Sequence, residues 1–228
     1  MKPYVKNNRT GEVERAAARR LTDNDLPAVL SLQREVTDAL TDASVYVPSP
    51  AEEFRRILAR GELHGLFAGG RLIAAACFYF PGDAPENHGR DLGLRDEELL
   101  RCAVLDSCFV APDYRGNGLA RELAEVCVHR AMCACGAENV VATVSPKNTA
   151  SLLSLMAVNG MRIAALRQKY GCRLRYILRC ERSCKRLYTV YERYALGDVY
   201  GISRALADGY EGISLFRSGP DVWLWLSK

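Results

Sequence analysis

The stretch from Val110 to Ala120, V-A-P-D-Y-R-G-N-G-L-A, holds the residue pattern of this chain best suited to chemistry. Gly116 and Gly118 let the backbone turn its N–H groups inward where a helix begins, and the exposed donors and helix dipole there favour an anion such as a pyrophosphate. The loop lacks the G-x-x-x-x-G-K-[ST] of a triphosphate loop, and no third glycine stands in the dinucleotide position. Nucleoside triphosphate and NAD readings therefore fall. His129 and Cys133 at i,i+4, with Cys135 two residues on, have a superficial metal-ligand spacing. No second paired cluster accompanies them and Cys180 and Cys184 are too loosely spaced, so no metal is expected and the residues read as a polar helix face beside core thiols. Ten Lys or Arg face only Glu181 and Glu192 between Arg162 and Arg193. Alternating arginines on a hairpin, as in R-L-R-Y-I-L-R, make a solvated face, and no nucleic-acid partner is expected.

The elements that must position the turn are legible around it. Residues 102–110, C-A-V-L-D-S-C-F-V, form an apolar strand stopped at Ala111-Pro112, and an apolar helix face follows through Leu119, Ala120, Leu123, Ala124, Val126, Cys127 and Ala131. A strand over 139–145 ends at Pro146, a short helix over 149–158 is capped by Asn148 or Thr149 and ended by Asn159-Gly160, and 161–169 and 173–180 form a hairpin around Tyr170-Gly171-Cys172. Upstream, a strand over 13–21 precedes an amphipathic helix from Leu26 to about Leu40. Pro50 opens a second helix through Phe54, Ile57 and Leu58, and a hairpin turns at Gly69-Gly70. The polar stretch 81–98 reads as a solvated loop or short helix. Strand, helix, strand, helix, hairpin makes an α/β chain with a mixed sheet and a parallel pair in its middle.

The chain's 228 residues with 49% apolar and 25% charged suit one ordinary domain with an appendage and exclude general disorder. The formal charge of +4 is too mild to demand a polyanionic partner. Nine cysteines, an odd number set mostly in apolar runs, fit buried thiols in a reducing cytosol better than a disulfide framework. The first twenty residues carry no apolar targeting core, and the longest apolar run, Leu72 to Phe80, is too short to span a bilayer. A soluble cytoplasmic protein without a membrane partner is expected.

At the turn the chain resembles the GNAT superfamily of acetyl-CoA-dependent N-acyltransferases. Their signature R/Q-x-x-G-x-G/A is met by Arg115, Gly118 and Ala120, after the family's V-x-P-x-Y-R-G lead-in, here Val110 to Gly116. S-P-x-N at 145–148, an N-x-x-S spacing to Ser151 and G-M-R at 160–162, where the family usually has G-F, strengthen the match, which covers roughly residues 13–182. The resemblance implies acetyl-CoA as co-substrate and a GNAT-type fold with splayed central parallel strands. Backbone amides of Arg115, Gly116, Asn117, Gly118, Leu119, Ala120 and Arg121 would hold the pyrophosphate. The strand ending at Phe109-Val110 would splay from 139–145 to receive the pantetheine, Asn148 would touch that arm, and a strand N–H would polarise the thioester oxygen.

The implied reaction is acetyl transfer to a primary amine by direct attack in a ternary complex, with neither metal nor covalent intermediate. Alkyl amines are mostly protonated at neutral pH, with a pKa of about 10, so a base is expected. Asp106 stands where several family members carry a glutamate base, one methylene shorter, so a relaying water is expected. A strand aspartate can instead bond neighbouring backbone or pair with an arginine. The family's usual acid, a tyrosine on the helix after the asparagine, is replaced by Leu155 or Met156. Tyr114 and Tyr170 are conceivable substitutes, and the acid stays unassigned. The missing tyrosine leaves a second function class open, a non-catalytic CoA-binding sensor or partner module of the same fold. The acceptor, a small molecule or a peptide amine, is not legible.

Residues 1–182 are thus expected to form the transferase domain and 183–228 an extension. Tyr191, Tyr194, Ala195, Ile202 and Leu206 suggest a helical stripe, and G-I-S-L-F-R and V-W-L-W-L flank a turn at 218–221 as a hairpin. Both faces of the last strand are apolar, so the hairpin should dock on the transferase domain or in a homodimer.

Overall fold

The computed structural model describes residues 2–183 and 186–228. In chain order the elements are β1 (Tyr4–Lys6), β2 (Val13–Arg20), α1 (Leu26–Asp38), α2 (Ala51–Arg60), β3 (Gly61–Ala68), β4 (Arg71–Tyr79), α3 (Asp96–Leu99), β5 (Cys102–Val110) and α4 (Leu119–His129). They continue as β6 (Asn139–Val144), α5 (Thr149–Met156), β7 (Arg162–Lys169), β8 (Arg173–Glu181), β9 (Tyr191–Ala195), α6 (Val199–Ala207), β10 (Glu211–Ser218) and β11 (Asp221–Ser227). The chain divides into two compact units, one of residues 1–80 and 105–135, the other of 81–104 and 136–228.

In the first unit the strands run β1-β2-β3-β4 and then the 105–110 portion of β5. β1 to β4 pair antiparallel, and Gly69 and Gly70, both at positive φ, close the β3–β4 hairpin. Nearly every residue of β4 is buried, which reports cover on both its faces. Leu26, Val29 and Leu32 of α1, Phe54 and Ile57 of α2, and Leu119, Leu123, Ala124 and Cys127 of α4 supply the helical side of the core. Buried Glu62 gathers Arg130, which donates through Nε at 2.9 Å, together with His64 and Arg20; the Arg130 bond first, with the His64 hydrogen bond and the Arg20 charge behind it, brings its carboxyl down to about 2.

In the second unit the order is β6-β8-β7-β10-β11-β9, and the pairings β6–β8, β8–β7, β7–β10, β10–β11 and β11–β9 are all antiparallel. β8 lies between two strands, and its residues do not alternate in exposure: Arg175 and the three residues after it are buried while Leu174 is exposed. The expected solvated arginine face is therefore only partial. Arg162 is also buried, 3.0 Å from Glu211 and bonded to Glu181, and Arg179 bonds Asn139 and Glu181. Lys185 of that basic stretch lies outside the described residues.

Three further expectations need correction. The polar stretch 81–98 is not simply a solvated connection. Asn87 is fully buried, donating to Gly82 O and Leu99 O and capping the 3-10 turn His88–Leu92 through Gly89 N–H. Residues 191–195 form strand β9 rather than the start of a helix, because β11 supplies a five-residue antiparallel ladder from Trp223–Ala195 to Ser227–Tyr191. The helix begins only at Val199, where Asp198 caps Gly201 N–H at 2.9 Å. Among the cysteines, 77, 102, 127 and 180 are buried, 108 is half-buried, and 133, 135 and 172 are exposed. The thiols beside His129 are thus not core thiols, and Cys184 lies outside the described residues.

β10 docks on β7 through Gly212 opposite Ile163, an approach so close that a Cβ on Gly212 would stand 3.0 Å from both Ile163 and Leu224. Ile163, Ile202, Leu224 and Leu226 are wholly buried there, and Phe216 stacks on Trp225 at 6.0 Å. Deleting residues 210–228 is expected to uncover Ile163 and Ile202 and to cause aggregation. Size-exclusion chromatography and activity check this, and a soluble, monomeric, fully active truncation would show the hairpin to be dispensable.

Candidate active site

The turn after β5 belongs to the first unit and is built by backbone conformation. Ala111 N–H donates to Ile73 O at 2.8 Å, Pro112–Tyr114 make a 3-10 turn, and Gly116 and Gly118 then take φ of +82° and +81°. Only glycine adopts those values without strain. Gly118 is the N-cap of α4, and its carbonyl accepts Glu122 N–H at 3.1 Å, so the N–H groups of Leu119, Ala120 and Arg121 precede the first intrahelical bond. Leu119 sends its side chain into the core, while the Arg121 side chain bonds Glu125 at 2.8 Å. What these two can offer an anion is backbone N–H. Arg115 is exposed, and Asn117 is bonded through its side chain to the N-terminal segment.

Upstream on β5, Asp106 and Val110 are half-buried and Phe109 is buried, its ring edge-on to Tyr46 at 5.7 Å and to Phe54 at 6.3 Å. Ser107 Oγ donates to Asp106 Oδ2 at 2.8 Å and lies 3.4 Å from the Tyr46 hydroxyl, which donates to Gln33 Oε1 at 2.8 Å. Burial first, and then the Asp106 charge, pushes the Cys77 thiol up, and burial pushes the Tyr46 phenol up as well. Both groups therefore stay neutral at ordinary pH around the Asp106 carboxylate.

Of the two tyrosines weighed as acids, Tyr114 is buried in this unit and donates to Glu14 Oε1 at 2.7 Å. Tyr170 belongs to the second unit, at a φ of +50°, with its hydroxyl 3.1 Å from both His88 Nε2 and Thr143 Oγ1. Also in the second unit, Asn148 accepts Ser151 N–H at 3.1 Å as the N-cap of α5, and Leu155 and Met156 are buried where the family's tyrosine would stand. The structure thus gathers Asp106, Phe109, Val110 and the Arg115–Arg121 turn in one unit, with Asn148 in the other. Among the described residues no group of three or more His, Cys, Asp or Glu side chains is placed to hold a metal ion.

Residues 30–153 match the family model of the acetyltransferase (GNAT) family. The chain belongs to the GNAT acetyltransferase family. Several solved structures share the fold of this GNAT protein. Ribosomal-protein-S18-alanine N-acetyltransferase from Escherichia coli is 20% identical with a TM-score of 0.54, over 76% of this chain and 99% of that one. An N-acetyltransferase from Staphylococcus aureus Mu50 is 18% identical with a TM-score of 0.51, over 73% and 98%. The protein yncA from Salmonella typhimurium, solved with its cofactor acetyl-CoA, is 16% identical with a TM-score of 0.55, over 75% and 96%. No curated protein sequence matches the chain. No helix among the described residues is long and apolar enough to cross a membrane.

Proposed function

We propose that this GNAT acetyltransferase takes its acetyl group from acetyl-CoA and passes it to a primary amine by direct attack in a ternary complex. The observation that carries the reading is the Arg115–Arg121 turn, where two left-handed glycines leave the opening N–H groups of α4 free of intrahelical acceptors, the donor set a pyrophosphate needs. A relative of the same fold solved with acetyl-CoA supports the choice of donor. Asp106 is the base of this reading, and Asn148 enters it through the resemblance. Asp106 takes one proton from the ammonium and frees the nitrogen lone pair, the C–N bond forms, the C–S bond breaks, and the second proton lost by the nitrogen balances the CoA thiolate, which leaves with a modest proton affinity and ends as the free thiol. The acceptor is a small molecule or a peptide amine. Residues 1–182 act as the transferase portion and 183–228 as its extension, which meets it through the β10–β7 pairing. Cys77, Cys102, Cys108, Cys127, Cys133, Cys135 and Cys172 form no disulfide, which suits a cytoplasmic setting.

Thermal melts test the donor: acetyl-CoA is expected to raise the melting temperature, and NAD and ATP to fall short of it. Release of free CoA thiol in the presence of amines then separates an enzyme from a CoA-binding module. Absence of the acetyl-CoA shift would overturn the reading.

A further inference from the structure

Lys2, Lys6 and Asn8 of the N-terminal segment are each bonded to the anion turn of their own unit or to the first turn of α4. Asn8 donates from its backbone to Asp113 O and from its side chain to Arg115 O, each at 2.7 Å. Lys6 N–H donates to Asn117 Oδ1 at 2.9 Å and Asn117 Nδ2 returns a bond to Lys6 O at 2.8 Å, so the Asn117 amide is held as a neighbouring strand would hold a backbone amide. Asn117 Nδ2 also reaches Tyr114 O at 2.9 Å. Lys2 N–H donates to Glu122 Oε2 and the Lys2 ammonium to Asn117 O, both at 2.9 Å. That ammonium stands 3.6 Å from where a Cβ on Gly118 would lie.

We propose that Lys2 is a further ligand of the cofactor pyrophosphate, carried to the turn by residues 2–8; the inference rests on the acetyl-CoA reading above. An ammonium has three donors, and Asn117 O takes one. Glu122 Oε1, at 3.8 Å in a pair whose Lys2 side chain is 57% exposed, binds it only weakly. Glu122 also sets a negative charge in the first turn of α4, where a pyrophosphate would be repelled. A cation at Lys2 offsets that charge and offers the phosphate oxygens a charge-assisted hydrogen bond.

The test compares acetyl-CoA with acetyl-pantetheine, which keeps the thioester and lacks the pyrophosphate. Lys2→Ala is expected to raise Kd and KM for acetyl-CoA about tenfold, the loss of one charge-assisted bond, with kcat unchanged. Its kcat/KM with acetyl-pantetheine should equal that of the wild type, because a purely structural defect would lower both donors alike. Asn117→Ala, which releases the segment at Lys6, should also weaken acetyl-CoA binding. Lys2→Ala binding acetyl-CoA as the wild type does, or losing both donors equally, would overturn the inference while leaving the acetyl-CoA reading intact. A wild-type protein blind to acetyl-CoA would remove both.

Discussion

Gly118→Glu is expected to abolish the stabilisation by acetyl-CoA that is expected of the wild-type protein. At a ligand concentration a hundred times Kd, mass action adds about 2.7 kcal/mol, which for a chain of this size is a rise of about 5–10 °C in melting temperature. Gly118 sits at φ +81°, where any side chain is strained, and it caps the helix whose opening N–H groups form the proposed cradle. Glutamate adds a carboxylate where the pyrophosphate would bring its own negative charge. A methyl group alone has room, since a Cβ would meet nothing nearer than Lys2 Nζ at 3.6 Å. Gly118→Ala should therefore stay folded and lose only part of the shift, which separates backbone strain from charge. A folded Gly118→Glu protein that still responds fully to acetyl-CoA would dismiss the turn as the pyrophosphate site.

Local signals carried the reading of the turn, and long-range partners are what escaped it. Two glycines with one residue between them, behind an apolar strand and ahead of a helical stripe, specify the left-handed conformations at Gly116 and Gly118 through sterics within three residues. The Asn117–Lys6 exchange joins residues 111 apart, and nothing in the spacing of M-K-P-Y-V-K-N-N points to it. The same limit explains β9. Residues 191–195 carry a helical stripe, and the ladder to β11, some thirty residues later in the chain, overrides it. Asn87 was hidden in a polar run because a polar side chain gives no periodic signal when it is buried to satisfy carbonyls such as Leu99 O. At the site, Asp106 was legible as a carboxylate on an apolar strand. Its bond from Ser107 and the neutral Tyr46 and Cys77 around it depend on how α1, the 39–50 loop and β4 meet β5, which no single stretch of sequence encodes.

Asp106→Asn is expected to lower kcat/KM by about 10²–10⁴, the usual span for loss of a general base, while acetyl-CoA affinity stays near that of the wild type. The substitution preserves shape, and the asparagine carbonyl can still accept the Ser107 hydroxyl that now donates to Oδ2 at 2.8 Å. What it removes is the capacity to take a proton. Tyr46 cannot supply that capacity, because burial keeps its phenol protonated, and Cys77 is held as a thiol by burial and by the Asp106 charge itself. The rise of kcat/KM with pH should accordingly flatten in the variant, since the carboxylate proposed to accept the ammonium proton is gone. Ser107→Ala provides the comparison: it keeps the carboxylate, removes one bond that orients it, and should cost less in turnover than Asp106→Asn. Saturation kinetics with a series of amines, alongside acetyl-CoA titrations of each variant, read the two effects separately. Wild-type turnover in a well-folded Asp106→Asn protein would make the aspartate a strand residue bonded to its neighbour and move the search for the base to the other carboxylates of the first unit.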